Sequence, residues 1–265
     1  MGLRINQNID AANSYRNLSV TQGQMSKSLE KLSSGFRINR AADDAAGLAI
    51  SEGLRSQVGG LKVGARNAQD GVSLVQTAEG ALTEVHSMLQ RMNDLAVQYN
   101  NGTQGTDSQA ALSSEFTALK DEITRIKDNT KFNGTDLFGG TALTFQVGYD
   151  STDTIDVSAT ALADFTAGTA MAAIDITDSN TLQEAITEVS TQRADLGATQ
   201  NRFEHTINNV NVAIENLSAS ESRIRDTDMA QEMMGFTRSQ ILSQAGTAML
   251  AQANQASQGV LSLLR

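Results

Sequence analysis

The sequence contains no cysteine, no proline and no tryptophan, and aromatic residues make up only 4% of its 265 positions. Without cysteine, neither a disulfide framework nor a thiolate metal site can form. Because proline breaks helices and isomerises slowly, a chain without it can form long helices and meets no such delay in folding. So few large rings indicate a thin seam between helices, filled by Leu, Ile, Val, Ala and Met, rather than a wide globular core.

Two further absences concern location and partners. The first residues, MGLRINQNIDAANSYRNL, contain no apolar stretch of the kind found in a cleavable secretory signal. No apolar run approaches the roughly 18 residues that a membrane-spanning helix needs, so these two tests alone predict the cytosol. The net charge of −10 argues against nucleic acid as the main partner, because phosphate binding requires a basic surface.

Apolar residues repeat at helical spacing over most of the chain. A pattern from about residue 44 to 99 alternates steps of four and three, which is typical of a heptad seam, and would form one long helix. Two shorter patterns cover about 112–126 and 181–224. The terminal patterns, 5–32 and 229–264, have thin apolar faces rich in Ser, Gln and Ala. Because such helices are weakly stable alone, we expect the two terminal helices to pair.

Between the third and fourth helical patterns the periodicity changes. The stretch NTKFNGTDLFGG carries two Asn/Gly turn signals, and LTFQVGY and DTIDVSA alternate as short strands do. These runs predict a β-hairpin near 143–158, followed by a short variable segment, 159–180. The predicted fold is therefore mainly α, a long antiparallel helical bundle or coiled-coil rod with a small β-hairpin and paired terminal helices.

Catalytic and metal-binding patterns are missing. The two histidines, His86 and His205, stand outside any HExxH arrangement, and no P-loop or GxSxG elbow is present. A helical-surface role is the better interpretation of both histidines. We therefore predict no catalytic residue, no metal site and no cofactor.

The stretch LSSGFRINRAADDAAGLAIS, residues 32–51, is the strongest candidate for chemistry. Its paired carboxylates, Asp43 and Asp44, follow Arg37 and Arg40, as they would in an acid/base site. A helix begins at these aspartates, however, and its free N–H groups and positive end favour carboxylates there. Capping explains the pair without chemistry, and the arginines are then solvated or paired with acids on a neighbouring surface.

Several long motifs together resemble bacterial flagellin: LEKLSSGFRINRAADDAAGLAIS, LQRMNDLAVQYNNGT, TKFNGTDLF, ESRIRDTDMAQEM and the closing GVLSLLR. The resemblance covers about residues 1–140 and 180–265, in the family's order. The short middle is similar to that of a short flagellin without outer variable domains. A hook–filament junction protein, which has similar terminal helices, is the alternative; RINRAADDAAGLAIS and GVLSLLR favour flagellin.

The resemblance implies a structural subunit, not an enzyme, that polymerises into the hollow helical filament of the extracellular flagellum. Residues 1–40 and 226–265 would form an inner-core coiled coil, and 41–225 a rod domain. Family members are exported unfolded by a type III apparatus without a cleaved signal, which would replace the cytosolic expectation. Implied partners are the chain itself, hook-associated junction and cap proteins, an export chaperone at the C-terminal helix and, for some members, a host Toll-like receptor; neither nucleic acid nor membrane insertion is expected.

Site residues follow from the patterns and from the resemblance. The joint between the two domains would comprise Gly35, Arg37, Arg40, Asp43 and Asp44, with the arginines facing neighbouring subunits. The positions that match the family's receptor-recognition pattern are Arg91, Leu95 and Glu115, although Asn93 departs from the basic residue of better-known activators. The residues expected in the inter-subunit and inner-core seam are Leu18, Met25, Leu29, Met233, Phe236, Leu242, Met249, Val260, Leu261 and Leu264.

Other classes of protein fit less well. An enzyme-bearing relative with a metalloprotease insert is excluded because the middle of the chain, about 40 residues, contains no histidine. A coiled-coil signalling protein would need a membrane anchor or a kinase-contact hairpin, and the sequence contains neither. The leading hypothesis is therefore a self-assembling structural protein.

Overall fold

A computed structural model describes residues 8–166 and 174–263, and side chains up to residue 255. Within these ranges the chain forms five helices and two antiparallel hairpins. This confirms the prediction of a mainly α fold with long antiparallel helices and a small β-hairpin. The helices are α1 (Ile9–Ser34), α2 (Ala45–Tyr99), α3 (Thr106–Asn129), α4 (Ser179–Arg225) and α5 (Met229–Leu263), and the strands are β1 (Lys131–Phe132), β2 (Thr135–Asp136), β3 (Leu143–Gln146) and β4 (Thr154–Val157).

The chain divides into two compact units. The terminal unit contains the described residues up to Ser56 and those from Leu217 onward, and the central unit is Gln57–Asn216. In the terminal unit, α1 packs along α5. Asn8, at the start of α1, bonds to Ala253 near the end of α5, so the two helices run antiparallel.

The central unit contains the large hydrophobic core. Leu82, Val85, Leu89 and Met92 on α2 are each 0% exposed, which places the predicted heptad face of this helix inside the core. Because residues three and four apart share one helix face, these side chains form a continuous apolar stripe. The buried residues of α4 that join this core are Leu182, Ala185, Val189, Leu196 and Phe203.

The β3–β4 hairpin lies directly against α2. The Asn67 amide donates to the carbonyl of Gln146 over 2.9 Å, and a Cβ added to Gly60 or Gly64 would collide with the hairpin at Tyr149 or Val147. Gly60 and Gly64 therefore leave room for the hairpin to pack against α2. Gly71 has the analogous role towards α4, where it faces the Phe203 ring.

A smaller hairpin, β1–β2, follows α3 and was not expected. Its two-residue turn consists of Asn133 and Gly134, which have φ values of 50° and 83°. Positive φ at both central positions is what a type I′ turn requires, and Asn-Gly is the preferred pair. The turn signal in NTKFNGTDLFGG is therefore accounted for.

The segment predicted as variable, 159–180, is fastened to the central core at both of its described ends. Phe165 and Ile174 are buried, and the Phe165 ring meets Phe138 edge-on at 4.9 Å. Two lysines of α3 hold the same ends: Lys127 lies 3.2 Å from a carboxylate oxygen of Asp164, and Lys120 donates to the Ile174 carbonyl over 3.2 Å. Partial burial raises the pKa of the Asp164 carboxyl, but hydrogen bonds from the hydroxyl and backbone N–H of Thr166 and from Lys127 outweigh it, so its pKa is lowered.

Candidate assembly surface

The contact between α1 and α5 is made largely by small side chains. Ser28 and Ser239 are buried with Leu18, and Gly246 lies so close to Leu18 that an added Cβ would stand 3.3 Å from it. Small residues allow two helices to approach closely, but they also bury little apolar area. The α1–α5 pair is therefore narrow.

Polar contacts at both ends set the register of α1 against α5. Asn8 caps α1 by accepting from the Ala11 N–H at 3.0 Å, and its amide donates to the Ala253 carbonyl at 2.9 Å. At the opposite end, Lys31 lies 4.0 Å from Glu232. These contacts select one alignment, which a narrow apolar seam cannot do alone.

The residues predicted for the inner-core seam do not share one environment. Leu18 is buried, and Met25 and Phe236 are half-buried. Leu29, Met233, Leu242 and Met249 are 49–60% exposed in the isolated chain. Val260 and Leu261 lie in α5, but their side chains are outside the described residues, as is Leu264 altogether.

The terminal unit instead exposes a large set of apolar side chains, here called the α1/α5 apolar surface. Met233, Met234, Ile241 and Leu242 line part of an open depression of ≈ 540 Å³ together with Thr237 and Arg238. The four apolar side chains that share this depression lie together, and contiguous exposed apolar groups are typical of an interaction surface. The surface consists of Ile9, Tyr15, Val20 and Leu29 on α1 and Met229, Met233, Met234, Ile241, Leu242 and Met249 on α5.

The seam predicted from the sequence omits six of these ten residues. For two of the six, Met234 and Ile241, a signal was present in the sequence: each is adjacent to a predicted seam residue, in the pairs Met233–Met234 and Ile241–Leu242. Neighbouring residues on a helix point about 100° apart, so such pairs cannot share one narrow face. Adjacent apolar pairs therefore indicate a helix with apolar contacts on more than one side.

The joint residues form a network within the chain. Gly35 has a φ of 76° and its N–H donates to the Lys31 carbonyl at 2.8 Å, which ends α1 in a left-handed cap. The Arg37 guanidinium donates twice to the Ile224 carbonyl, at 2.6 and 3.2 Å, while its backbone N–H donates to the Arg225 carbonyl at 2.7 Å. Arg37 therefore caps the last turn of α4 instead of pointing only towards a neighbour.

Arg40 has a different environment from Arg37. Its Nε donates to a carboxylate oxygen of Glu30 at 2.8 Å, yet its side chain remains 72% exposed. Of the two arginines expected to face neighbouring subunits, Arg40 is the more exposed to solvent.

The two aspartates bond to backbone amides. Asp44 accepts from the Gly47 N–H at 2.9 Å, as the capping residue of α2 does. Asp43 accepts from the backbone N–H groups of Arg40 and Asn39, and the first of these bonds lowers the pKa of its carboxyl most. Both carboxylates thus hold the turn that begins α2.

Sequence reasoning missed Arg225, which joins three parts of the terminal unit. Its guanidinium lies 4.8 Å from the centre of the Phe36 ring, and one of its nitrogens lies 2.7 Å from Glu52. A short bridge pairs Phe36 with Asp226 beside it. Only the motif ESRIRDTDMAQEM marked this position, without indicating a role.

The candidate receptor residues lie in the central unit. Arg91 and Glu115, on α2 and α3, form two hydrogen bonds of 2.7 and 2.9 Å, and both side chains are exposed. Leu95 is completely buried beneath them. The structure brings Arg91 and Glu115 together at the surface of the isolated chain, whereas Leu95 is not exposed there.

Two kinds of feature are not found in the part of the chain that the structure describes. Among residues 8–166 and 174–263, no group of His, Asp or Glu side chains is arranged to hold a metal ion. No helix in the same ranges is both long and apolar enough for a membrane span. The charged side chains described above instead cap helices or form ion pairs.

A mainly helical fold with exposed apolar side chains on its paired terminal helices, and with its described charged side chains in caps and ion pairs, is typical of a structural, interacting class of protein. Comparison with protein families identifies the particular one. Residues 5–142 match the bacterial flagellin N-terminal helical region, and residues 179–264 match the bacterial flagellin C-terminal helical region. The chain belongs to the bacterial flagellin family.

Relatives match over nearly their whole length. The flagellin of Halalkalibacterium halodurans is 55% identical, with 98% of this chain and 99% of the relative covered, and that of Bacillus subtilis is 48% identical, with 99% and 100% covered. A flagellar filament 33 kDa core protein of Treponema phagedenis is 44% identical, with 98% and 99% covered. The chain is accordingly a structural protein of the extracellular flagellum and not an enzyme.

Proposed function

We propose that the chain polymerises into the flagellar filament by burying its α1/α5 apolar surface against other copies of itself. The observation that supports this most strongly is the exposure of ten large apolar side chains on the two helices of the terminal unit. One chain cannot cover them, since the α1–α5 contact itself uses small residues. Neighbouring subunits would supply the missing partners.

The energetics favour a polymer over a dimer. A half-exposed Leu or Met that becomes buried contributes on the order of 1 kcal/mol, before the entropy of association is subtracted. Ten such side chains spread over two helices therefore need several neighbours. Contacts made head to tail, which do not close into a ring, generate a helical filament.

We infer a different role in the filament for each part of the chain. Residues 1–40 with 226–265 form the inner core of the filament, and residues 41–225 form its outer rod. Gly35, Asp43 and Asp44 shape the joint, Arg37 caps α4 inside the subunit, and Arg40 contacts a neighbour. Leu29, Met233, Leu242 and Met249 lie between subunits, Leu18 within one, and Met25, Phe236, Val260, Leu261 and Leu264 complete the inner core.

Export and the remaining partners belong to the same proposal. The subunit leaves the cell unfolded through the type III apparatus, and a chain without cysteine or proline meets no disulfide or isomerisation step while it refolds at the tip. Junction and cap proteins bound the filament at its two ends. An export chaperone covers the apolar residues of α5 beforehand.

Seeded elongation tests the proposal. Purified chain added to short filament fragments is expected to extend them, as seen by electron microscopy, and deletion of residues 250–265 to leave a soluble folded protein that does not. Failure of the full-length chain to extend seeds would favour a hook–filament junction protein. Normal filaments from the truncated chain would contradict the inner-core assignment.

Recognition by a Toll-like receptor is a second proposal, supported by the exposed Arg91–Glu115 pair. These two side chains would contact the receptor, while buried Leu95 shapes the surface from beneath. Charge reversal at Arg91 should abolish a receptor-reporter response, whereas reversal at exposed Arg125, which pairs with Glu122 elsewhere on α3, should not. Equal responses from both variants would refute this.

A further inference from the structure

Methionine is the chain's main target for oxidants. The sequence has nine methionines but neither cysteine nor tryptophan, the other side chains that oxidants attack readily. Oxidation converts the apolar thioether of methionine into a polar sulfoxide, a change that disrupts methionine-rich interfaces. Where the methionines lie therefore decides what an oxidant does to this protein.

The described methionines differ in exposure, and Met25 on α1 is half-buried. Met229, Met233, Met234 and Met249 are 48%, 50%, 64% and 60% exposed, and all four lie on α5. In the central unit Met92 is fully buried and Met88 is half-buried. Because oxidation follows access to the sulfur, the four methionines of α5 react first.

We propose that these four methionines of α5 form an oxidation-sensitive modification site that controls whether a free subunit can assemble. This inference rests on the proposed polymerisation through the α1/α5 apolar surface, to which all four belong. Two of them, Met233 and Met234, also line the open depression beside Ile241 and Leu242. Assembly would cover the sulfur atoms, so only unassembled subunits are sensitive.

The oxidant is a peroxide, with hydrogen peroxide as the probe. The sulfur atom attacks one peroxide oxygen, an S–O bond forms and the O–O bond breaks. The sulfur is oxidised by two electrons, the peroxide is reduced, and the departing oxygen leaves as water after proton transfer. No metal or cofactor takes part.

A sulfoxide opposes assembly because its oxygen is a strong hydrogen-bond acceptor. Burying it against apolar neighbours without a donor removes it from water at a cost, equivalent to about a tenfold loss of affinity for each such group. Two or more sulfoxides per subunit should therefore reduce extension of seeds by about a hundredfold or more. Folding of the central unit, whose core excludes these residues, should not change.

The experiment uses the full-length chain. Free subunits are treated with hydrogen peroxide, peptide mapping by mass spectrometry locates each added oxygen, and seeded elongation is measured against the untreated chain. We expect oxygen at the four α5 sites well before Met25, Met88 or Met92, and loss of elongation in step with oxidation of the α5 sites. Preformed filaments treated alike should remain unmodified at the four sites.

Two further arms show that the sulfoxides themselves are responsible. Methionine sulfoxide reductases of both stereospecificities, added to the treated wild type, should restore elongation. In a variant with M229L, M233L, M234L and M249L, peroxide should not reduce elongation below that variant's own untreated rate, while M88L should remain as sensitive as the wild type. The reductase arm decides the question if the fourfold variant elongates poorly even when untreated.

The outcomes distinguish failure of the oxidation-sensitive site from failure of the proposed polymerisation on which it rests. If the untreated chain does not extend seeds, polymerisation itself is refuted. If it does, and chains carrying sulfoxide at all four positions extend seeds as fast as untreated chains, the modification site is refuted. Equal sensitivity of the fourfold variant and the wild type would refute it as well.

Discussion

The two units of this chain are both built from helices but differ in whether their apolar side chains are buried. In the central unit, the apolar faces of α2, α3 and α4 meet one another and the hairpins, and side chains such as Leu89 and Phe203 have no exposed surface. In the terminal unit, α1 and α5 meet through Ser28, Ser239 and Gly246 and leave their larger apolar side chains exposed. The central unit buries most of its apolar side chains in a core of its own, whereas the terminal unit leaves most of its large apolar side chains exposed.

The difference teaches how one chain can be both a stable subunit and a polymer precursor. Stability resides where volume is filled, because each buried side chain adds transfer and packing energy. Assembly resides where apolar surface remains uncovered. Substitutions should therefore divide into those that unfold the subunit and those that leave it folded but unable to polymerise.

The largest effect on stability is expected at Phe203. This ring is buried, faces Gly71 and meets Phe145 edge-on at 5.5 Å between ring centres. Phe203→Ala should destabilise the subunit by about 3–5 kcal/mol, since it leaves a large cavity in a filled core. Urea denaturation followed by circular dichroism measures the change; a loss below about 1 kcal/mol would mean that the core can collapse around the gap.

Leu242→Asp tests the opposite half of the comparison. This side chain is 51% exposed, so the free energy of unfolding of the free subunit should change by less than about 1 kcal/mol. Seeded elongation should be lost, because a carboxylate cannot enter an apolar contact without its water. Exposed Val212→Asp, in the central unit, is the matched control; elongation by the Leu242 variant would contradict the assignment of this surface.

A pair of glycines on α2 should respond with opposite signs. A Cβ at Gly64 would collide with the backbone of Val147, whereas one at Gly59 would meet open space. Gly64→Ala should cost about 1–3 kcal/mol through displacement of the hairpin. Gly59→Ala should stabilise by about 0.5–1 kcal/mol, because alanine favours the helix. Thermal unfolding of both variants measures these changes in stability. Equal shifts in Tm would refute close packing of the hairpin against α2.

A smaller effect is expected at the joint. Arg37→Met removes two donors from the Ile224 carbonyl, and should cost about 1 kcal/mol in this partly exposed position. Arg55→Met is the control, since its guanidinium is exposed and stands 4.0 Å from Glu52. Hydrogen exchange at the last turn of α4 should accelerate only in the first variant. Unchanged protection there would show that this cap contributes nothing.

The smallest effect concerns pH. The pKa of Asp43 is lowered from 3.8, chiefly by the hydrogen bond from the Arg40 N–H. Since the folded pKa lies below the unfolded one, the carboxylate contributes stability above the unfolded value, and this contribution is lost as pH falls through the folded value. The stability difference between wild type and Asp43→Asn should therefore shrink below pH 3.8. Carbon NMR of the Asp43 carboxyl checks the direction of the shift.

The regular elements were largely readable from the sequence because their patterns are local. The heptad spacing predicted one helix from about 44 to 99, and α2 spans Ala45–Tyr99. The alternating runs predicted a hairpin near 143–158, where β3 and β4 pair. Strands β1 and β2 were not predicted, since two residues each are too short to show alternation.

The environment of each candidate residue was less predictable, because it depends on what distant parts of the chain supply. Nothing near Arg37 in sequence indicates that its partner is the carbonyl of Ile224, 187 positions away. Phe165 and Ile174 lie in the segment predicted as variable, 159–180, yet both are buried against the core. Leu18 and Leu29 were both predicted for the seam, yet Leu18 is buried and Leu29 is half-exposed.

By itself the sequence determined the helices, their antiparallel order and the absence of cysteine chemistry, since these depend on residue type and on repeats of three to four positions. Only the tertiary structure decided which apolar faces are satisfied within the subunit. Helix α5, with adjacent apolar residues such as Met233 and Met234, has more than one apolar side. Its partner within the subunit, α1, makes a narrow contact and covers only part of that apolar surface. The uncovered remainder is a property of how the helices pack, because burial depends on what stands opposite each side chain.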